Sequence, residues 1–169
     1  ILSVVSALKN TILADFSSMG ANTFTISQYD TAGRIAKNQS NQVENPPITY
    51  AQALDFKERY SYPFAAVSLS FDAATNIEIK NDYVKTDPEV SIVGCDENYL
   101  SNSGLLINNG RGLSYTDCKN NHFVCVVGSD FSKNMFKSQS PIDQIISIRG
   151  YKFKIVGILK EQGSTFGQN

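Results

Sequence analysis

The sequence predicts an α+β fold in which helices pack on a mixed sheet and a strand-rich part follows. Three patterns carry this expectation. Ile1, Val5, Leu8, Ile12, Phe16 and Met19 recur at spacings of three and four, which builds one apolar stripe along a helix that Gly20 can end. Thr49 with Gln52 three residues on, and Ile48 just before, form a capping box with a hydrophobic residue at the staple position. Val67, Leu69 and Phe71, and then Ile77 and Ile79, alternate with polar residues, the period of a half-buried strand.

The elements follow in order. After the first helix, Thr23 to Gln28 alternates as a strand, and Gly33 to Pro47 is a polar loop. A second helix runs from about Tyr50 to Tyr60, with Leu54 and Phe56 on its buried side and Lys57, Glu58 and Arg59 on its exposed arc. Val67–Phe71 and Ile77–Ile79 then form a hairpin broken at Asp72–Thr75. Asp87-Pro88 marks a boundary, since proline disfavours helix before it and donates no hydrogen bond. Beyond it come a strand at Val90–Val93, a helical turn capped by Asp96, and a turn at Asn108-Asn109-Gly110. Phe123–Val127 is a strand, Ser129 caps a helix carrying Phe131, Met135 and Phe136, and Ile145–Ile148 with Tyr151–Leu159 form a hairpin turning at Arg149-Gly150.

Length and charge narrow the function. The 169 residues suffice for one domain or two small ones. Fifteen Lys and Arg against sixteen Asp and Glu give a net charge of -1, which leaves no excess to hold nucleic acid. No run approaches the roughly 20 apolar residues that span a bilayer. The first helix carries a stop signal but no start signal, and the chain closes in a loop, so it reads as a fragment whose first helix continues upstream, where a membrane segment could lie.

The sequence offers little chemistry. There is no P-loop and no Gly-x-Ser-x-Gly elbow, and His122 is the one histidine available as a base. Cys118, His122 and Cys125 place three soft ligands within eight residues, a pattern that could hold zinc, but no fourth ligand lies nearby. A disulfide between Cys118 and Cys125 is the alternative use of that spacing. Asp82, Asp87, Glu89, Asp96 and Glu97 lack the ligand spacing of a calcium loop and read as a solvated rim. Gly110 and Arg111 leave a tight turn from which the arginine can pin a neighbouring loop through Asp117. No cofactor is expected.

The order of Leu13 to Ile26 (LADFSSMGANTFTI), Val93-Gly94-Cys95-Asp96-Glu97-Asn98-Tyr99, Asn109-Gly110-Arg111-Gly112-Leu113-Ser114 with Asp117, Val126-Val127-Gly128-Ser129, Pro141-Ile142 and Phe153 to Gly163 resembles the periplasmic core domain of MacB-like ABC transporter permeases. The family also includes FtsX-like and lipoprotein-releasing permeases. The resemblance implies a Porter-like subdomain of helices on a mixed sheet, interrupted by a smaller strand-rich Sabre-like subdomain. On that template residues 1–87 are the first Porter-like part, 88–160 the insertion and 161–169 the start of the return, with Asp87 and Pro88 at a hinge. Asp143 stands where family members carry glycine in a Pro-x-Gly-Lys turn, so that turn is expected to differ.

The resemblance further implies a non-catalytic domain on the periplasmic side of an inner membrane protein. ATP would be hydrolysed on a separate cytoplasmic nucleotide-binding domain or subunit. The expected partners are that component, the transmembrane helices of the permease, a second permease copy and a periplasmic adaptor protein. The competing expectation is a secreted or periplasmic binding module or small enzyme with a site around Arg111, Cys118 and His122.

Overall fold

The computed structural model describes residues 23–28, 46–81, 86, 90–137 and 139–161. The predicted helix Ile1 to Met19, most of the polar loop before Pro47, Asp87 and Pro88, and the segment 163–169 lie outside the described residues. Thr23 to Ser27 is exposed and is not a strand, with Phe24 at 79% and Ile26 at 61% exposure.

Helix α1, Tyr50–Arg59, starts where its capping box dictates. The Gln52 amide donates to Thr49 Oγ1 at 3.3 Å and the Thr49 amide donates to Gln52 Oε1 at 2.9 Å, which satisfies two of the otherwise orphaned donors at that end. Its orientation differs from the expected one. Phe56 is exposed and stacks on Tyr60 at 5.4 Å between ring centres, while Lys57 turns inward. Two carboxylates draw the lysine across the helix face, described below.

Strand β1, Ser70–Ile77, pairs antiparallel with β2, Val90–Cys95. The expected turn at Asp72–Thr75 is therefore absent: that run has no glycine or proline to reverse the chain, and β1 continues through it with register shifts after Asp72 and after Ala74. The ring of Phe71 lies against Gly94, where any side chain would collide with it. The tip of the ribbon is fastened. Lys80 and Ser147 exchange backbone hydrogen bonds of 3.2 and 2.7 Å, and Thr86 closes back on Ile79.

Helix α2, Tyr99–Asn102, is one turn preceded by Asn98, whose side chain makes no cap; Asp96 instead accepts the Asn98 amide. Strand β3, Ile107–Gly110, runs straight through the Asn108-Asn109-Gly110 sequence expected to turn. Gly110 takes a φ of +78° there and lies so close to the Val156 carbonyl that a side chain has no room. Helix α3, Tyr115–Lys119, was not expected and starts at Ser114. Then come β4, Val124–Val127, and α4, Ser129–Phe136. The cap of α4 is Gly128, one residue before the serine expected to supply it.

Strands β5, Ile145–Ile148, and β6, Tyr151–Leu159, form the expected hairpin. Arg149 and Gly150 both have positive φ, 50° and 88°, as a two-residue turn between twisted strands requires. Strand β6 organises the sheet. It pairs antiparallel with β5 through its first four residues and with β3 through its last three, and it pairs parallel with β4 in between. Lys154 and Gly157 each have a partner in β4 and another in β5 or β3, so β4 holds one edge of β6 and the other two strands share the opposite edge.

The core sits between this mixed sheet and α4. Ile146 and Ile155 are fully enclosed, and Val127, Met135, Phe136 and Ile158 pack around them. Burying side chains of this size contributes about 1.5–3 kcal/mol each. Ile79 belongs to the same cluster, with Ile77 and Val90 against it, so residues from both sides of position 88 enter one core.

Asp143 sits in a turn of defined shape. It adopts φ +68°, the conformation glycine would take, and its amide donates to the Ile155 carbonyl at 2.9 Å. Its carboxylate is held by Lys154 at 2.7 Å. Aspartate is one of the few residues that tolerate this region.

Candidate functional site: a polar joint between helix, ribbon and loop

Two buried carboxylates, Asp96 and Asp117, gather the polar contacts of the chain. Asp96 follows the last residue of β2. Its Oδ2 accepts from Lys57 Nζ at 2.7 Å and from the Leu69 amide at 2.8 Å, and its Oδ1 accepts from the Asn98 amide at 3.1 Å. Lys57 also reaches Glu97 at 2.8 Å. Asn98 donates to the Val67 carbonyl and Asn102 to the Ala66 carbonyl, each at 2.9 Å, so the segment entering β1 is sewn to the segment leaving β2. One lysine thereby ties α1 to the base of the ribbon.

Burial alone would lower the Lys57 pKa, but the hydrogen bonds to Asp96 and Glu97 outweigh it and hold the ammonium above its ordinary value. Burial would raise Glu97 in turn, yet the Lys57 bond leaves it below the usual carboxylate value. Both shifts favour the charged pair.

Asp117 stands at the third position of α3 and closes a second capping box. It accepts from the Ser114 amide at 3.0 Å and hydroxyl at 2.6 Å, while its own amide donates to Ser114 Oγ at 3.2 Å. Arg111 forks onto it with Nη1 2.6 Å from Oδ2 and Nη2 3.3 Å from Oδ1, and His122 Nδ1 lies 3.2 Å from Oδ1. The Arg111 bond first, then the Ser114 hydroxyl and amide, hold this carboxyl well below the usual carboxylate range. Arg111 is fixed from behind as well, because its amide donates to the Val156 carbonyl at 2.9 Å and its own carbonyl packs on Gly157.

The structure thus brings Gly110, Arg111 and Asp117 together and separates the three soft ligands. His122 turns to Asp117, Cys118 lies on α3, and Cys125 stands in β4 opposite Ile155. Burial pushes the Cys125 thiol up to about 12. All three cysteines are free, and among the described residues no three His, Cys, Asp or Glu side chains gather as a metal site. Ser114 bonds to Asp117 and His122 bonds to the same carboxylate, so serine and histidine are not in the serial order that nucleophile activation needs. Among the described residues every buried side-chain nitrogen and oxygen has a partner, and none is left pointing at a ligand. The arrangement holds elements in place. A binding module or enzyme built around Arg111, Cys118 and His122 is not favoured.

Sequence reasoning missed Lys57, Asp96 and Ser114 as members of the joint. Ser114-x-x-Asp117 has the same spacing as Thr49-x-x-Gln52 and could have been read as a helix start. Nothing local signals that Lys57 and Asp96, 39 residues apart, will meet.

Comparison with known proteins gives a consistent result. Macrolide export ATP-binding/permease protein MacB from Neisseria gonorrhoeae is 27% identical over 159 residues, covering 94% of this chain and 23% of that protein. The protein of the same name from Mannheimia succiniciproducens is 24% identical over 151 residues, covering 89% of this chain and 22% of its own length. The chain therefore spans about a quarter of these relatives. The crystal structure of the periplasmic region of MacB from Actinobacillus actinomycetemcomitans superposes with a TM-score of 0.67 at 18% identity, covering 90% of this chain and 66% of that one, a likeness of fold. The family description "MacB-like periplasmic core domain" matches residues 1–169. With its whole length matched and its mixed-sheet fold shared, the chain belongs to the MacB-like periplasmic core domains of ABC transporter permeases.

Proposed function

We propose that this chain is a non-catalytic, extracytoplasmic coupling module that helps convert ATP hydrolysis on the cytoplasmic side into export or extrusion of a substrate. Its parent then carries transmembrane helices and works with an ATP-binding component, as a dimer and with a periplasmic adaptor protein. The relatives' name makes macrolides the first substrates to test.

The observation that supports mechanical coupling is the two-ended attachment of the β1–β2 ribbon. Lys57 grips its base, and Ile77, Ile79, Val90 and the Lys80–Ser147 bonds anchor its tip in the core of the mixed sheet. A displacement of α1 is then passed along a hydrogen-bonded ribbon rather than absorbed by a loop. No helix among the described residues is long and apolar enough to cross a membrane.

The test is made in the parent protein. The outcome expected there is an apolar span of ~20 residues before Ile1 and further spans downstream. Lys57→Met there lowers export while ATP hydrolysis continues, and Lys57→Arg restores it. A parent without membrane spans, or tight ATP binding by the 169-residue chain itself, overturns the reading.

The same reading makes Asp87 and Pro88 a hinge between residues 1–87 and 88–160, with 161–169 beginning the return of the first part. Amide hydrogen exchange faster at 85–89 than in β1 and β2 supports the hinge, and uniform protection across these segments overturns it.

A further inference from the structure

The apolar face of the β5–β6 hairpin outruns its cover. Residues paired across a hairpin share a face, so Ile146 and Ile148 lie on the same side as Phe153 and Tyr151, and the alternation continues to Ile155. Deep in the sheet this face is enclosed, with Ile146 and Ile155 fully buried. Towards the turn it emerges as an aromatic platform. Phe123 stacks on Tyr151 at 6.2 Å between ring centres and meets Phe153 edge-on at 5.4 Å. The Phe123 carbonyl accepts the Lys154 amide at 2.9 Å, which fixes the platform to β6. Phe123 is nevertheless 56% exposed and Tyr151 63%.

The opposite face and the turn are cationic. Lys152 and Lys154 stand across from Ser147 and Ile145, and Arg149 sits in the turn. Residues 145–160 carry Arg149, Lys152, Lys154 and Lys160 and no acid, in a chain whose net charge is -1. Lys154 is held by Asp143, while among the described residues Arg149 and Lys152 have no acidic partner.

We propose that the tip of this hairpin docks on the anionic surface of a lipid bilayer, with Phe123 and Tyr151 entering the headgroup layer and Arg149 and Lys152 meeting lipid phosphates. The pairing of exposed rings with unneutralised cations selects this occupant. Aromatic rings settle at the boundary between water and hydrocarbon, and lysine stems lie along apolar surface while the ammonium stays among the headgroups. A protein partner fits less well, because lysine is depleted from protein interfaces. The proposal adds a membrane contact to the coupling module and rests on that reading only for the bilayer being nearby.

The chain has no tryptophan, so Tyr151→Trp places a single reporter in the platform. The full chain is mixed with vesicles of phosphatidylethanolamine and phosphatidylglycerol, and separately with vesicles of phosphatidylcholine alone. The expected result is sedimentation with the first and not the second, weakening as salt is added, and a blue shift of the Tyr151→Trp emission on binding. Lys152→Gln lowers vesicle affinity about fivefold, and adding Arg149→Gln lowers it further. Arg59→Gln removes an equal charge from α1 and changes affinity less than about twofold. All three sites are exposed, and unchanged circular dichroism shows that the variants fold. No sedimentation with the anionic vesicles, undiminished binding by the double variant, or a blue shift at Phe64→Trp without one at Tyr151→Trp overturns the proposal. So does a dimer that Tyr151→Ser dissociates, since a second copy then covers the platform. Emission from Tyr151→Trp that is already blue and unmoved by vesicles also overturns it, since another segment of the chain then provides the cover. A parent without membrane spans would overturn the coupling reading and leave vesicle binding in place.

Discussion

The Lys57 ammonium lies 2.7 Å from Oδ2 of Asp96, an oxygen that simultaneously accepts the Leu69 amide. Helix α1 and the start of β1 are thus held by one buried atom. Lys57→Met leaves that charge without its cation and lowers stability by about 2 kcal/mol, measured by chemical denaturation.

The same contact has a defined pH window. Lys57 is raised in the folded state, so its contribution is present below its ordinary value of 10.5 and is lost as pH rises through the folded value. Glu97 is lowered, so its contribution is present above 4.5 and is lost as pH falls. The stability difference between the native chain and Lys57→Met is therefore flat from about pH 5 to 10 and narrows on both sides.

Asp117 gives an acid-side signature of its own. Its folded pKa lies below the ordinary 3.8, so the unfolded chain binds its proton first and stability drops as pH falls below that value. Asp117→Asn flattens this part of the pH profile. Ser114→Ala removes the cap hydroxyl and costs about 1 kcal/mol at neutral pH, read from the thermal midpoint.

Gly157 faces the Arg111 carbonyl with no space for a side chain. Gly157→Ala pushes β3 away from β6 and costs about 1–3 kcal/mol. Nuclear magnetic resonance shifts should concentrate at Gly110 to Gly112, while Gly128→Ala, where nothing lies in the way, leaves those resonances in place.

At Asp143 the positive φ decides the outcome. Asp143→Val loses about 1–2 kcal/mol, since a β-branched residue is strained there. Asp143→Gly changes stability by less than about 1 kcal/mol, because relief of strain is offset by a more flexible unfolded chain and loss of the exposed Lys154 pair.

How far the sequence reaches depends on how local the deciding interaction is. The start of α1 and the β5–β6 turn were legible because their determinants lie within four residues, Thr49 to Gln52 and Arg149-Gly150. The same locality misled at Asn108-Asn109-Gly110, where turn-forming residues serve a strand because Gly110 must approach Val156, 46 positions away. Alternation in Val67–Ile79 gave strand character but the wrong partner, since pairing with β2 is a tertiary choice. In the site, Gly110, Arg111 and Asp117 stood out by residue type. Lys57 looked like solvent-facing charge until Asp96 and Glu97 were brought beneath it.

Strand β6 is the partner of β3, β4 and β5, and it is the last of the four to be synthesised. Until β6 has emerged, β3 and β4 have no ladder to join and Ile146 has no Ile155 to pack on. Assembly of this sheet is therefore a late, concerted event rather than a stepwise growth along the nascent chain. A chain interrupted before Tyr151 leaves three strands without their β6 partner at once, the state in which strand-rich segments recruit foreign partners and aggregate.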